Sequence, residues 1–222
     1  MGCFIKQHYI TYMSNKKLNH LINLVNQLER HIYEPLYDEK YVSEGHWDYV
    51  TYSFQDFLIH LEESHKILGR KKGLKFIDVG CGLGAKVHLA KLYFDSFGIE
   101  LNTDYHAIAS AVNTPREFLK YGRYKTSQGK KRIFNEDALK FDYKPYNVVY
   151  FFQPLCQARL QKQLEHRIFA TIKPGTIVIP IYSQSTFPEY MRHLSTPSGE
   201  IYMKIMKDEK AQKMTEKVKT LF

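Results

Sequence analysis

Three alternate glycines, Gly80, Gly82 and Gly84, follow a short apolar run in Lys75–Lys86, K-F-I-D-V-G-C-G-L-G-A-K. Glycine leaves backbone N–H groups open to a ligand, because no Cβ stands between them. One carboxylate, Asp78, interrupts the apolar run two residues before the first glycine. It could meet a positively charged ligand group such as an amino-acid ammonium. A second acid, Glu100, lies twenty residues beyond Gly80, and a third, Asp137, comes after a later apolar run. A strand entering a helix through such glycines, with the helix N-terminus adding a positive dipole end, suits a nucleotide-like cofactor without saying which one.

Those residues need a scaffold. Phe76, Ile77 and Val79 read as a buried strand, and Val87, Leu89, Ala90 and Phe94 as a helical face beyond the glycines. Further strands are expected at Phe97–Leu101, Lys131–Asn135, Asn147–Phe152 and Thr176–Tyr182. Between them, helices are expected over Tyr105–Tyr121, where Pro115 breaks the element or starts a new one, and over Cys156–Ile172. Alternating strands and helices with near-continuous apolar strands predict a parallel sheet covered on both faces. Tyr190–Thr196 and Glu200–Lys207 flank Pro197-Ser198-Gly199 and read as an antiparallel hairpin. Asp208–Phe222 is charged and read as helical or frayed.

Upstream of the glycine strand lie two helical patterns. One runs from Lys16 to Tyr33, capped by Ser14 or Asn15 and closed by Pro35; the other runs from Phe54 to Leu68 and stops at Gly69. Between them, Trp47-Asp48-Tyr49-Val50-Thr51-Tyr52 reads either as a lid or as an aromatic seam against the sheet. The chain therefore divides into an N-terminal helical and aromatic cap, 1–70, and a core, 71–222.

The 222 residues, 44% hydrophobic, suffice for one core with an appendage. Basic residues outnumber acidic ones, 32 to 23, a net charge of +9 that permits attraction to nucleic acid or acidic membranes. Much of that excess sits in the connection Tyr121–Arg132, Y-G-R-Y-K-T-S-Q-G-K-K-R, which reads as a solvated loop or a phosphate-binding one with stacked bases. Cys3, Cys81 and Cys156 are too few and too scattered for a disulfide framework or a zinc site, so no metal is expected and a reduced, cytoplasmic setting is. No apolar run approaches the ~20 residues that cross a bilayer, and no membrane partner is expected.

Gly80, Gly82 and Ala85 formally satisfy G-x-G-x-x-G/A, so a dinucleotide site has to be weighed. Asp78 inside the strand, about seventy residues ahead of it, and the second acidic loop at Asp137 pull the other way. Here the sequence resembles the class I S-adenosylmethionine-dependent methyltransferases. D-V-G-C-G-L-G looks like their first motif, G-I-E-L their second, N-E-D-A their third, and I-K-P-G-T-I-V-I the turn before their fifth strand. The likeness covers Leu74–Tyr182.

The resemblance implies a Rossmann-like, mostly parallel seven-stranded sheet ending in an antiparallel hairpin, and S-adenosylmethionine as cofactor. It places Asp78, Gly80, Cys81, Gly82 and Gly84 around the methionine moiety, Glu100 and Leu101 at the ribose, and Asp137 with Ala138 at the adenine. Asp78, Glu100 and Asp137 each also have a plainer reading, as a bonded strand-end acid, a solvated strand end and a turn cap. N-V-V-Y-F-F-Q-P-L falls at the fourth motif, which faces the methyl acceptor. Gln153 and Pro154 depart from the Asp/Asn-Pro-Pro-aromatic pattern of adenine amino-methyltransferases, which argues against base flipping. Acceptor-pocket residues are then Phe152, Gln153, Pro154, Tyr52 and Trp47, and the catalytic residue is unassigned, since in-line methyl transfer needs positioning more than a nucleophile. His88, His106 and His166 read as surface or packing residues. The acceptor is a nitrogen or oxygen, on a protein side chain or small molecule ahead of RNA. The alternative is a non-catalytic basic RNA-binding protein on the same scaffold.

Overall fold

The computed structural model describes residues 52–113, 116–119, 123–126 and 131–205, the two segments 116–119 and 123–126 as backbone. The expected Lys16–Tyr33 helix, Trp47 and the tail Asp208–Phe222 lie outside the described residues.

Helix α1 (Phe54–Ile67) starts where Ser53 Oγ accepts the Asp56 N–H at 3.3 Å, and it stops at Leu68 before Gly69 turns into the left-handed region. Strand β1 (Lys75–Val79) then leads through the glycines into α2 (Ala85–Ala90). This helix is shorter than the apolar spacing to Phe94 suggests. The N–H groups of Lys91, Leu92 and Tyr93 bond three residues back rather than four, which tightens the turn and ends the helix.

Strand β2 spans Asp95–Ile99 and not Phe97–Leu101. It begins early because Arg132 meets the Asp95 carboxylate and the Asp95 N–H bonds Leu74 O at 2.8 Å, so a charged residue can open the strand. Glu100 consequently stands one residue past the strand, at its tip. Helix α3 (Thr103–Asn113) ends before Pro115, and residues 116–119 are strand rather than continued helix. β3 (Arg116–Leu119) pairs antiparallel with β4 (Arg123–Thr126), so the stretch read as a helix end and a basic loop forms a two-stranded ribbon.

The remaining elements are β5 (Ile133–Phe134), β6 (Val148–Phe152), α4 (Ala158–Thr171), β7 (Ile177–Ile181), β8 (Met191–His193) and β9 (Tyr202–Lys204). The main sheet has the order β5-β2-β1-β6-β7-β9-β8. Its first five strands are parallel, and β9 runs antiparallel between β7 and β8. Pro180 in β7 is tolerated because β9 pairs only with Ile177 and Val178, so the proline leaves no antiparallel ladder bond unmade.

Apolar clusters cover both faces. On one, Phe57 of α1 packs edge-on against Phe76 and Tyr150, with centroids 6.0 and 4.9 Å away. On the other, Ile77, Val79, Val149 and Phe151 meet Leu164, Ile168 and Phe169 of α4. Each such side chain, fully buried, contributes roughly 1.5–3 kcal/mol. The helix at 54–67, read as part of the cap, is thus a covering layer of the sheet. Among the described residues, no helix is long and apolar enough to cross a membrane.

Candidate active site

The chain runs outward from β1 to β2 and β5 on one side, then returns to lay β6 and β7 on the other. The order reverses between β1 and β6, and in open α/β sheets the crevice outside the carboxyl ends at that point is the ligand site. Both loops that frame it are close. A Cβ built on Gly80 would come within 2.6 Å of Pro154 Cβ, so only glycine lets the turn after β1 pass the turn after β6. Gly80, Gly82 and Gly84 all have positive φ. At Gly84 a Cβ would meet Asn113 Nδ2 at 2.6 Å and Ala109 Cβ at 2.9 Å; Asn113 Nδ2 bonds Gly84 O at 3.0 Å and so clamps the glycine turn to α3.

Asp78, Glu100 and Asp137 succeed one another across the tips of β1, β2 and β5. Asp78 and Glu100 are buried. Glu100 is held at both oxygens: the Gly82 N–H donates to Oε2 at 2.8 Å and the Asn102 N–H to Oε1 at 2.9 Å. Glu100 thereby ties the glycine turn to the loop after β2. Cys81, between the glycines, reports the local field. Burial pushes its thiol well up, the Asp78 and Glu100 carboxylates push the same way, and Lys86 opposes them. A thiol in that setting is a packing group, not a nucleophile.

Asp137 does what a turn cap does. Its Oδ1 accepts the Leu139 N–H at 2.9 Å, and Oδ2 faces Lys140 Nζ at 3.4 Å. Ala138 O accepts from the buried Tyr143 hydroxyl at 2.7 Å, and Leu101 is exposed beside Glu100.

Beside the turn after β6, Phe152 is flanked by Tyr52 and Tyr182, with ring centroids 5.4 and 5.5 Å away. Gln153 (φ 34°) and Tyr182 (φ 57°), immediately after β6 and β7, both occupy the left-handed region. Such backbone costs about 1–3 kcal/mol at a non-glycine residue and persists where surrounding structure enforces it. Beneath these loops lies a buried polar network. Gln161 Oε1 accepts the Leu155 N–H at 3.2 Å and its Nε2 donates to Glu165 Oε1 at 2.8 Å. Glu165 also accepts from the Gln184 N–H and the Ser183 hydroxyl, each at 2.9 Å. One fully buried carboxylate on α4 thereby ties down the loops after β6 and β7 together.

Sequence reasoning missed this pair, and it missed Asn135, whose Nδ2 bonds Glu100 O and Leu101 O at 2.9 Å each and fixes the β2 tip. The Gln-x-x-x-Glu spacing on an otherwise apolar helix face was the one available signal for the network. His88 and His166 are exposed, and His106 bonds Ser110 at 3.3 Å.

Five parallel strands in the order 3-2-1-4-5, closed by an antiparallel seventh strand inside the sixth, decide the architecture. The fold is a Rossmann-like, mostly parallel seven-stranded sheet closed by an antiparallel hairpin. No family model and no curated protein matches the sequence. Among solved structures, the chain is similar to an RNA methyltransferase from Salinibacter ruber in complex with S-adenosyl-L-homocysteine, at 15% identity and a TM-score of 0.44. That match covers 68% of this chain and 93% of the other. It is also similar to the sugar N-methyltransferase KedS8 from Streptoalloteichus sp. (16% identity, TM-score 0.40, 62% and 54% of the two chains). A third is SAM-bound CalS10, an amino pentose methyltransferase from Micromonospora echinaspora (17%, 0.41, 67% and 65%). The matched part spans about half of KedS8.

Proposed function

We propose that the chain is an S-adenosylmethionine-dependent methyltransferase acting on a nitrogen or oxygen acceptor. The observation that carries this reading is the pair of buried carboxylates, Asp78 and Glu100, at neighbouring strand tips beside a glycine turn that no Cβ obstructs. A pyrophosphate laid along that turn would meet two carboxylates, and the sheet closes with an antiparallel strand where a dinucleotide sheet continues in parallel. A ligand with a cationic end and ribose hydroxyls suits both acids: Asp78 would face the amino-acid ammonium and Glu100 would accept from the ribose. At the third tip, Asp137 and Ala138 would take the adenine, with Asp137 also capping its own turn.

S-adenosylmethionine supplies a methyl group made electrophilic by a sulfonium. The chain's part is to hold the glycine turn and the Gln153-Pro154 turn together, so that an acceptor meets the cofactor in a fixed orientation and out of water. Gln153 offers a carbonyl acceptor for an amine or hydroxyl, and the aromatics Phe152 and Tyr52 offer a wall for the acceptor. A protein side chain or small molecule is the favoured acceptor, since Gln153-Pro154-Leu155 lacks the aromatic that would stack on a flipped base.

The test is Glu100→Ala against S-adenosylhomocysteine in a calorimeter. Loss of a charge-assisted bond pair is expected to weaken binding at least tenfold, about 1.4 kcal/mol or more. Unchanged affinity in a folded variant removes Glu100 from the site.

A further inference from the structure

Buried charges in folded chains are paired, because an ion that loses its water needs a counter-charge or hydrogen bonds in exchange. Among the described residues, Lys86 is the one lysine or arginine that is buried, with 7% of its surface exposed. Among those same residues, no carboxylate, carbonyl or hydroxyl accepts from its ammonium. Its contact is with a ring: Nζ lies 5.5 Å from the Phe54 centroid. A ring face attracts a cation but supplies no lone pair. More exposed cations are better served. Arg132 meets the Asp95 carboxylate, and Lys204 Nζ donates to Phe169 O at 2.8 Å and to Ala170 O at 3.0 Å. The buried acids Glu63 and Glu165 are engaged elsewhere, Glu63 by Ser198 and Glu165 by Ser183 and Gln184.

Lys86 is the second residue of α2, two past Gly84. Side chains on a helix lean toward its N-terminus, so this one leans back toward the glycine turn. Phe54 opens α1, and Tyr52 just before it lies against Phe152, the last residue of β6. The ammonium therefore sits at the carboxyl edge of the sheet, between the glycine turn and the start of α1. Its charge is felt at that turn, where it opposes the rise of the Cys81 thiol. Asp78 is on the same side of the sheet. Alternation along β1 sends Ile77 and Val79 toward α4, and Phe76 and Asp78 toward α1 and α2. In register with Asp78 on β6 is Tyr150, which packs in one cluster with Phe54 and Phe76.

We propose that Lys86 holds the carboxylate of an α-amino acid whose ammonium faces Asp78, the methionine end of S-adenosylmethionine. This rests on the methyltransferase reading and adds a second contact to it. An acid alone would accept any amine, whereas an acid and a cation on one face of the sheet select a zwitterion. A bond from ammonium to carboxylate is strong because both partners are ionised. A phosphate in the same place would set its charge against Asp78 and Glu100, both buried beside the turn. In the ligand-free chain the unpaired ammonium lowers stability, and the ligand's carboxylate offsets that.

Calorimetry with S-adenosylhomocysteine and with its decarboxylated analogue, which keeps the adenosine, the sulfur and the amine, tests this. The wild type is expected to bind S-adenosylhomocysteine at least tenfold more tightly than the analogue. Lys86→Met keeps the length of the side chain and removes its charge. In that variant S-adenosylhomocysteine affinity should fall at least tenfold, while affinity for the analogue stays within about twofold. Should the methionine variant fail to fold, Lys86→Gln gives the same comparison. Urea unfolding of ligand-free Lys86→Met supplies a second readout. Its midpoint should lie at or above that of the wild type, since a buried cation without an anion has been removed. A lower midpoint would make Lys86 a packing residue and contradict the inference. Equal affinity of the wild type for the two compounds, or a preference that survives the substitution, overturns the inference alone. No heat from either compound in the wild type overturns the methyltransferase reading, and the inference with it.

Discussion

At the scale of single residues, burial converts ordinary side chains into sensitive ones. His60 on α1 is buried, bonds the Tyr52 hydroxyl at 3.0 Å through Nε2, and has its imidazole pushed down to about 4 by desolvation. The folded chain therefore holds His60 neutral where the unfolded chain would protonate it. Its contribution is fully present above pH 6.5 and is lost as pH falls toward 4, about 3 kcal/mol across the window. Glu63, raised by burial against the opposing Ser198 bonds, runs the other way, so the single-site difference is the useful measurement. Urea unfolding of wild type and His60→Gln at pH 7 and pH 4.5 should show a much smaller pH loss in the variant; equal losses would contradict this. Gly80→Ala should cost about 1–3 kcal/mol, because φ near 74° and the Pro154 contact both exclude a Cβ. A variant as stable as wild type would mean the turns after β1 and β6 are not in contact.

At the scale of elements, α4 acts as the platform for the loops after β6 and β7. Glu165 satisfies donors from its own helix and from the loop after β7, while Gln161 holds the loop after β6. Glu165→Ala leaves one buried and two half-buried donors without their acceptor and is expected to cost roughly 2 kcal/mol; Glu165→Gln should recover part of it. Hydrogen exchange at the Gln184 amide should quicken in the alanine variant, and unchanged protection would show that the loop is held by something else. Much of the element order was legible beforehand, because apolar runs such as Ile177–Ile181 and the glycine signals at Gly69 and Gly80 have few alternative readings. Boundaries failed where partners far in sequence decide them. Asp95 belongs to β2 only because Arg132 neutralises it, and nothing local announces that. The ribbon was misread because basic residues with two tyrosines suit a loop as well as a strand until Arg116–Leu119 is seen opposite them.

At the scale of the whole molecule, the strand order gathers Asp78, Glu100 and Asp137 at adjacent tips although 59 residues, 78 to 137, separate the outer two. The spacing of those acids was readable, while the bonds that hold them were not: Asn135, Asn102 and the Gly82 N–H fix Glu100 only once β2 and β5 pair. The most direct measurement is calorimetric titration of the intact chain with S-adenosylhomocysteine and, separately, with NAD. One-to-one binding of the adenosyl compound with a Kd in the micromolar range, about −8 kcal/mol, and no heat with NAD is the predicted result. Binding of NAD with no response to S-adenosylhomocysteine would contradict it.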